Sequence, residues 1–427
     1  MRLIRGYDVI IVGGGPGGFG AAVAAGRSGA RTLLIEREGC LGGGATTMLV
    51  HPFMPHWTGG GPENLPRKVT NAGVFRQLCQ RLYARGAARE GGCVNFDDEI
   101  MKVVMDEMVA EAGVDVIFHA ALFGVQTADG RVKAVALAHN GGALRVTGKV
   151  FIDATGDALL AAEAGCRIMF GDEHGVVMPM TTNFILGGVD TDHLPSGEEL
   201  KRLMVAGVND TPALINTHLS CTSVFRKGFV HFNAIRITGA GTIDPWDLSR
   251  AEVEARRRIE NFAAWARTKM PAFADCFIAK TGTHIGVRES RRVVGDYVLT
   301  VEDFKQATKF DDAVTCTCYC VDRHGQKPNE TFFIRMPPGE FYQVPYRCLV
   351  PKGKRNLLIA SRSISTDVLM HASVRIMPPV MNIGEAAGFA AAMSLPRGDV
   401  RKIDVKALQK RITANGGLLE PSDGRTT

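Results

Sequence analysis

Residues 13–18, GGGPGG, place glycines at Gly13, Gly15 and Gly18, directly after the apolar run DVIIV and before an alanine-rich stretch. Each glycine serves a different need. The first allows a tight turn, the second lets backbone come against a diphosphate, and the third lets the following helix pack closely. Pro16 and Gly17 complete the loop, and the free N–H groups of the helix that follows favour an anion. Eighteen residues beyond Gly18, Glu36 ends the run RTLLIE, where a carboxylate is placed to take ribose hydroxyls. This is a dinucleotide site; FAD and NAD both use such a unit.

Other residues suit chemistry at a substrate. Hydride exchange at a C–H bond is helped by a base for the partner proton and by a cation that fixes an oxyanion or carboxylate. His371 and Arg375 lie four residues apart in LMHASVRIMPP and share a face if that stretch is helical. Arg288, Arg291 and Arg292 flank Glu289 in VRESRR, a cluster able to clamp an anion or to form a salt-bridge network; we expect the network for at least one arginine. Asp322 and His324 alternate onto one face of CYCVDRHG, and Tyr346 and Arg347 in PYRCL are of similar standing. The expected catalytic set is His371, Arg375, Arg288, Arg291 and His324.

Cys316, Cys318 and Cys320 share a face if TCTCYC is extended. Their spacing fits neither the CxxC redox pattern nor paired zinc ligands, so small apolar packing is expected, and no metal.

These residues need elements to hold them. A chain of 427 residues suggests two domains. No apolar run is long enough to span a bilayer. The N-terminus enters the glycine loop with no room for a signal peptide, which predicts a cytoplasmic protein with reduced thiols. A net charge of +6 suits an anionic cofactor or substrate and is no nucleic-acid signature. Arg256, Arg257 and Arg258 belong to an amphipathic helix with an expected capping box from Ser249 to Glu252, so a solvated face is predicted. Residues 114–157 predict a strand, a hairpin turning at Asp129-Gly130, a second turn at Asn140-Gly141-Gly142, and a strand ending in DATGD. KRNLLIASRSIS predicts a strand and loop, followed by the alanine-rich helix NIGEAAGFAAAM. With no second glycine fingerprint, no separate nicotinamide domain is expected.

Taken in order, GGGPGG, CLGGGAT, DATGDALLAAEAG, GVRESRRVVGDYVLT, VPYRCLVPKGKRNLLIASRSIS and HASVRIMPPVMNIGEAAGFAAA carry a resemblance over nearly the whole chain. The sequence resembles the FAD-dependent oxidoreductases related to fumarate reductase and succinate dehydrogenase flavoproteins, within the glutathione-reductase-like group. Ser361 stands where that pattern carries glycine. The resemblance implies an α/β fold: a Rossmann-like FAD-binding domain of parallel sheet plus β-meander, residues 1–165 and 341–427, with an inserted α+β substrate domain, residues 166–340. It implies FAD contacts at Arg37, Gly42, Gly43 and Thr46 in the second glycine stretch, at Ala154, Thr155, Gly156 and Asp157, and at Arg362. A helix beginning near Asn382, Ile383 and Gly384 would aim its N-terminus at the flavin. Relatives with covalent flavin attach it through a histidine near the second glycine stretch. His51 falls several residues late, and His56 later still, so non-covalent FAD is expected.

The implied function is hydride transfer between flavin and a carbon of a small polar substrate, hydroxylated or carboxylated, with dioxygen, a quinone or a redox protein as electron acceptor. A homodimer is expected on frequency alone. Two alternatives stand: an FAD monooxygenase or geranylgeranyl-reductase-like enzyme using NAD(P)H, and a non-catalytic redox partner passing electrons through Cys316, Cys318 and Cys320.

Overall fold

The computed structural model describes residues 2–60, 65–210, 220–223, 226–327 and 330–424. Its central parallel sheet runs Asp115–Ile117, Thr32–Ile35, Arg2–Val12, Gly142–Asp153 and Leu357–Ile359 in spatial order. Val9 to Ile11 and Phe151 to Ile152 have no exposed surface, as strands covered on both faces require. The first half of Gly142–Asp153 also pairs antiparallel with Arg131–His139, and that strand with Ala121–Ala128, giving a three-stranded meander. The hairpin turn falls at Asp129 and Gly130, with φ of 53° and 71°. Two positive φ values match the right-handed twist of the strands they join. The chain is therefore mixed α/β, with a parallel sheet and a meander.

Two helices lie against the sheet with their backbones almost touching. A Cβ on Gly20 of the helix Pro16–Arg27 would meet the Met381 carbonyl at 2.2 Å, and one on Gly388 would meet Ala21 O at 2.3 Å. The partner helix is Met377–Ser394, so it begins at Met377 and not near Asn382. Pro378 and Pro379 sit in its first turn, where the missing N–H groups have no partner to lose. Asn382, Ile383 and Gly384 consequently lie inside the helix. Gly384 packs: its Cβ would stand 1.9 Å from Gly17 O. Asn382 donates to Ala72 O at 2.6 Å.

A second apolar core forms around an antiparallel sheet ordered Ser220–Ser223, Val230–Ile237, Met180–Gly187 and Phe277–Thr281. One face packs on the helix Pro245–Lys269, with ring centroids of Phe184, Phe232 and Phe262 4.9 to 5.3 Å apart. That helix is capped by Asp244, earlier than the expected Ser249, whose hydroxyl bonds back to Pro245 O at 2.7 Å. Arg256 and Arg257 pair with Glu252 and Glu254 on the solvated face. Arg258 turns inward to donate to Arg236 O at 3.0 Å. Among the described residues no helix is long and apolar enough to cross a membrane.

The strand Ala313–Thr317 ends before Cys318, so the three cysteines do not share a strand face. Cys316 donates to Thr70 O and Cys318 to Trp57 O, each at 3.2 Å. Burial pushes the Cys316 thiol far up and that of Cys318 to about 12. Among the described residues no three His, Cys, Asp or Glu side chains gather as a metal requires.

Candidate active site

One cavity of about 730 Å³ runs from the glycine loop to a polar chamber between the two cores. At the loop end, Gly13 has φ +102°, and a Cβ there would meet Ala154 O at 2.5 Å. Gly42 donates to Gly14 O at 2.9 Å, and a Cβ on Gly43, at φ +48°, would come within 2.9 Å of the Gly15 Cα. The two glycine stretches thus face each other as a cradle that side chains would fill. Both Glu36 oxygens accept backbone N–H groups, from Gly14 at 2.5 Å and from Glu38 at 2.9 Å, which fixes the carboxylate at the strand end. Gly15, Pro16, Gly17, Arg37, Ala154, Thr155 and Gly156 also line this part. The Asp157 Oδ1 accepts from Ser290 and from Arg362, both at 2.6 Å, and Asp157 and Arg362 line the cavity too.

Six expected contacts stand behind the wall. Gly18 packs on Gly13, where a Cβ would meet the carbonyl at 1.8 Å. Gly42 turns the backbone at φ +106°, and the Thr46 hydroxyl donates to Leu41 O at 2.7 Å. Asn382, Ile383 and Gly384 do not line the cavity either; the residues that do so from that helix start are Ile376, Met377 and Val380. His51 does line it, its ring 4.1 Å from Phe96 and 5.0 Å from His231. Burial, then the charges of His231 and Lys280, hold His51 neutral. His56 is buried away from the cavity.

The polar chamber is built largely by a bulge. Thr181 pairs with Arg236 and Thr182 with Ile235, but Phe184 pairs with Phe232, so Asn233 and Ala234 oppose Asn183 alone. The extra residue resets the alternation. Asn233 and Arg236, which a strict period of two puts on opposite faces, both line the cavity with Thr181 and Asn183. Across from them stand Arg288, Tyr319, Asp322, His324 and Arg375. Arg288 is held by Pro179 O at 2.8 Å and by the Thr181 hydroxyl. Tyr319 donates to Asp322 Oδ2 at 3.2 Å. Arg236 donates to His324 Nδ1 at 3.0 Å, and because a guanidinium only donates, the His324 proton sits on Nε2, 3.4 Å from Asp322.

Burial pushes the Arg288 guanidinium down to about 9, with Arg375 and Arg236 adding to it. Burial works to raise Asp322, but His324, Arg375 and Arg288 outweigh it and hold the carboxyl well below its ordinary range. Burial lowers His324 to about 4 against the pull of Asp322, so its imidazole is neutral.

The expected catalytic set divides. Arg288, Arg375 and His324 line the chamber; His371 and Arg291 do not. His371 has no exposed surface, and its Nε2 reaches Arg288 O at 3.1 Å, so it braces the Arg288 backbone from behind. Arg375, at the end of the helix Val368–Val374, turns toward the cavity where His371 turns away. Arg291 points its guanidinium at Asp157 O, 3.4 Å away. Arg292 is the network arginine, pairing with buried Glu289 at 2.5 Å. The Tyr346 hydroxyl is spent on Val400 O at 2.7 Å and Arg347 on Asp312 at 2.9 Å, both outside the cavity. Arg236, Tyr319, Thr181 and Asn233 were missed in the sequence. The one available signal was an arginine inside the apolar strand VHFNAIRI.

A family model described as FAD dependent oxidoreductase matches residues 8–412. Digeranylgeranylglycerophospholipid reductase of Thermoplasma volcanium is 27% identical over 202 residues, 44% of this chain and 49% of that protein. The match thus spans about half of the relative's length. Among solved structures, a geranylgeranyl bacteriochlorophyll reductase-like protein from Thermoplasma acidophilum superposes with a TM-score of 0.43 at 16% identity, over 96% of this chain and 83% of the other. The p-nitrophenol 4-monooxygenase of Pseudomonas putida gives 0.48 at 12% identity, over 97% and 85%. With the glycine cradle, the fixed Glu36 and a match across most of its length, this chain belongs to the FAD dependent oxidoreductase family.

Proposed function

We propose that the protein moves a hydride between FAD and a carbon of a small polar substrate seated in the polar chamber. The observation that carries this is the continuity of one cavity from glycine cradle to chamber. Gly13, Gly15, Gly43, Glu36 and Arg362 would hold the FAD, non-covalently. When bound, FAD supplies a two-electron acceptor or donor. The chain's own residues do the rest. Arg288 and Arg375 orient the substrate, and His324 accepts the partner proton at Nδ1 when Arg236 turns to the ligand. Asp322 keeps the His324 proton on Nε2, and His371 is a positioning residue for Arg288.

Anaerobic mixing of the purified holoprotein with hydroxy acids and sugars tests this. Bleaching of the visible flavin absorbance by one of them is expected, and His324→Gln should slow it without lowering FAD content. Bleaching by NAD(P)H and by no substrate of this class would overturn it. That outcome belongs to the second reading, an NAD(P)H-consuming reductase or monooxygenase, which the 27% identity to the digeranylgeranylglycerophospholipid reductase favours. Electron relay through Cys316 and Cys318 is disfavoured by their raised thiol pKa values, since the thiolate is the reactive form.

A further inference from the structure

The second glycine stretch runs on past Gly43 as a loop to Val50, and Gly43, Gly44, Thr47, Met48 and Val50 line the cavity. Its near end is tied to the first core, where Gly42 donates to Gly14 O at 2.9 Å. Its far end is held by the second. Three carbonyls in a row accept from that core. Thr47 O takes the Thr283 N–H at 2.7 Å and its hydroxyl at 3.1 Å, Met48 O takes Asn183 Nδ2 at 3.0 Å, and Leu49 O takes His231 Nε2 at 2.7 Å. A carbonyl only accepts, so the His231 proton sits on Nε2.

The donors come from neighbouring strands. His231 lies on Val230–Ile237, Asn183 on Met180–Gly187 and Thr283 just beyond Phe277–Thr281, and these strands are adjacent in that order across the sheet. The loop therefore crosses the sheet with one carbonyl for each strand. Gly282 allows the close approach, since a Cβ there would stand 3.3 Å from the Met48 Cα. Carbonyls of an extended chain point alternately to opposite sides, so bringing three in a row to one sheet takes a bent backbone. The bend is at Leu49, fully buried with φ of 51°. A bulky side chain rarely holds that left-handed conformation, and it persists only where the surroundings over-determine it. The loop's own bonds, Thr47 N to Gly43 O and Val50 N to Gly44 O, each 2.8 Å, use glycine carbonyls and leave those three to the second core.

We infer that the floor of the cofactor cavity is set from the second core, with His231, Asn183 and Thr283 as positioning residues for the loop from Gly43 to Val50. They act on FAD through the loop. With all three in place the loop stands in its binding conformation before the cofactor arrives. Without one of them it spends time elsewhere, and FAD affinity falls by the fraction of loops out of place. The strand Met180–Gly187 serves both ends of the cavity, with Asn183 on Met48 O and the Thr181 hydroxyl on Arg288. The second core is thus part of the FAD site, whichever substrate the polar chamber takes.

The test removes one donor at a time and reads two quantities on FAD-loaded protein. One is FAD release, followed by the recovery of free-flavin fluorescence on dilution; the other is hydrogen exchange along the loop. His231→Phe and Asn183→Leu should each speed release about fivefold or more, as expected for a buried carbonyl left without its donor. Exchange should rise in the loop and stay unchanged at Phe262 and Ala263 in the second core. His231→Gln, whose amide donates from the place of Nε2, should keep both close to wild type. A histidine that only fills space would be replaced better by Phe than by Gln. Arg257→Gln, on the solvated helix face of the same core, should change neither quantity. If His231→Phe loosens the second core, Asn183→Leu decides. Unchanged release from folded Asn183→Leu protein, or release from His231→Gln as fast as from His231→Phe, would overturn the assignment. So would exchange that rises evenly through both cores with no faster release.

Discussion

Replacing Glu289 with alanine should be the most damaging single change behind the wall of the chamber. Its carboxylate has no exposed surface and holds Arg292 at 2.5 Å, Arg323 at 3.2 Å and the Met178 N–H at 2.9 Å. Arg292 is 3% exposed and bonds onward to Thr366 O and Gly171 O. Glu289→Ala therefore leaves one fully buried guanidinium without its counter-charge and one backbone N–H without an acceptor. Breaking a buried pair from one side costs about 3–5 kcal/mol. An unfolding entropy of about 2.1 cal/mol/K per residue gives about 0.9 kcal/mol/K for 427 residues, if the chain unfolds as one unit. The melting temperature should then fall by about 3–6 °C at fixed FAD concentration, and by more if the two cores melt separately. Scanning calorimetry on holoprotein reads this. Glu289→Gln, which keeps one acceptor, should lose less, and Glu289→Ala with Arg292→Met should recover part of the loss, since no charge is then stranded. A drop below about 1 °C for Glu289→Ala would refute the reasoning, because the network would then be worth no more than a surface pair.

Further expectations are independent of that network. Gly17→Ala drives a Cβ to 1.7 Å from Ala360 O, so overpacking of at least about 1–3 kcal/mol and reduced FAD content should follow, while Gly197→Ala, with open space around it, should be neutral in both. His231 is buried, bonded to Leu49 O, and held down at about 4, below its unfolded value; its contribution is present above the unfolded pKa and lost as pH falls from there toward about 4. The slope approaches about 1.4 kcal/mol per pH unit for each such group, so His231→Gln should flatten the decline in urea midpoint between about pH 6.5 and 4. An unchanged decline would remove His231 from that account. Cys316 should resist a thiol-specific reagent in the native protein and react on unfolding; fast native labelling would contradict its burial.

The cofactor end was legible in the sequence because its geometry is local. A strand, a glycine turn and a helix close around the loop within a few residues, and Gly13 needs its positive φ whatever else the chain does. The Asp129-Gly130 hairpin was legible for the same reason. Met377 as the helix start was obscured because Pro378 and Pro379 look like a break unless their place in the first turn is known. The polar chamber was only half legible. Arg288, Arg375 and His324 could be picked as residue types, but His371 was the leading candidate and turns behind the wall.

The sequence by itself determined the glycine loop of the cradle and the meander, since each follows from patterns spanning neighbouring residues. Only the tertiary structure decided which charged groups meet. Arg236 reaches the chamber through one extra residue in a strand pairing, and Arg288, Asp322 and Arg375 arrive from three other segments. A bulge reverses which face every following side chain takes, and nothing in one strand's own residues records the partner register that creates it.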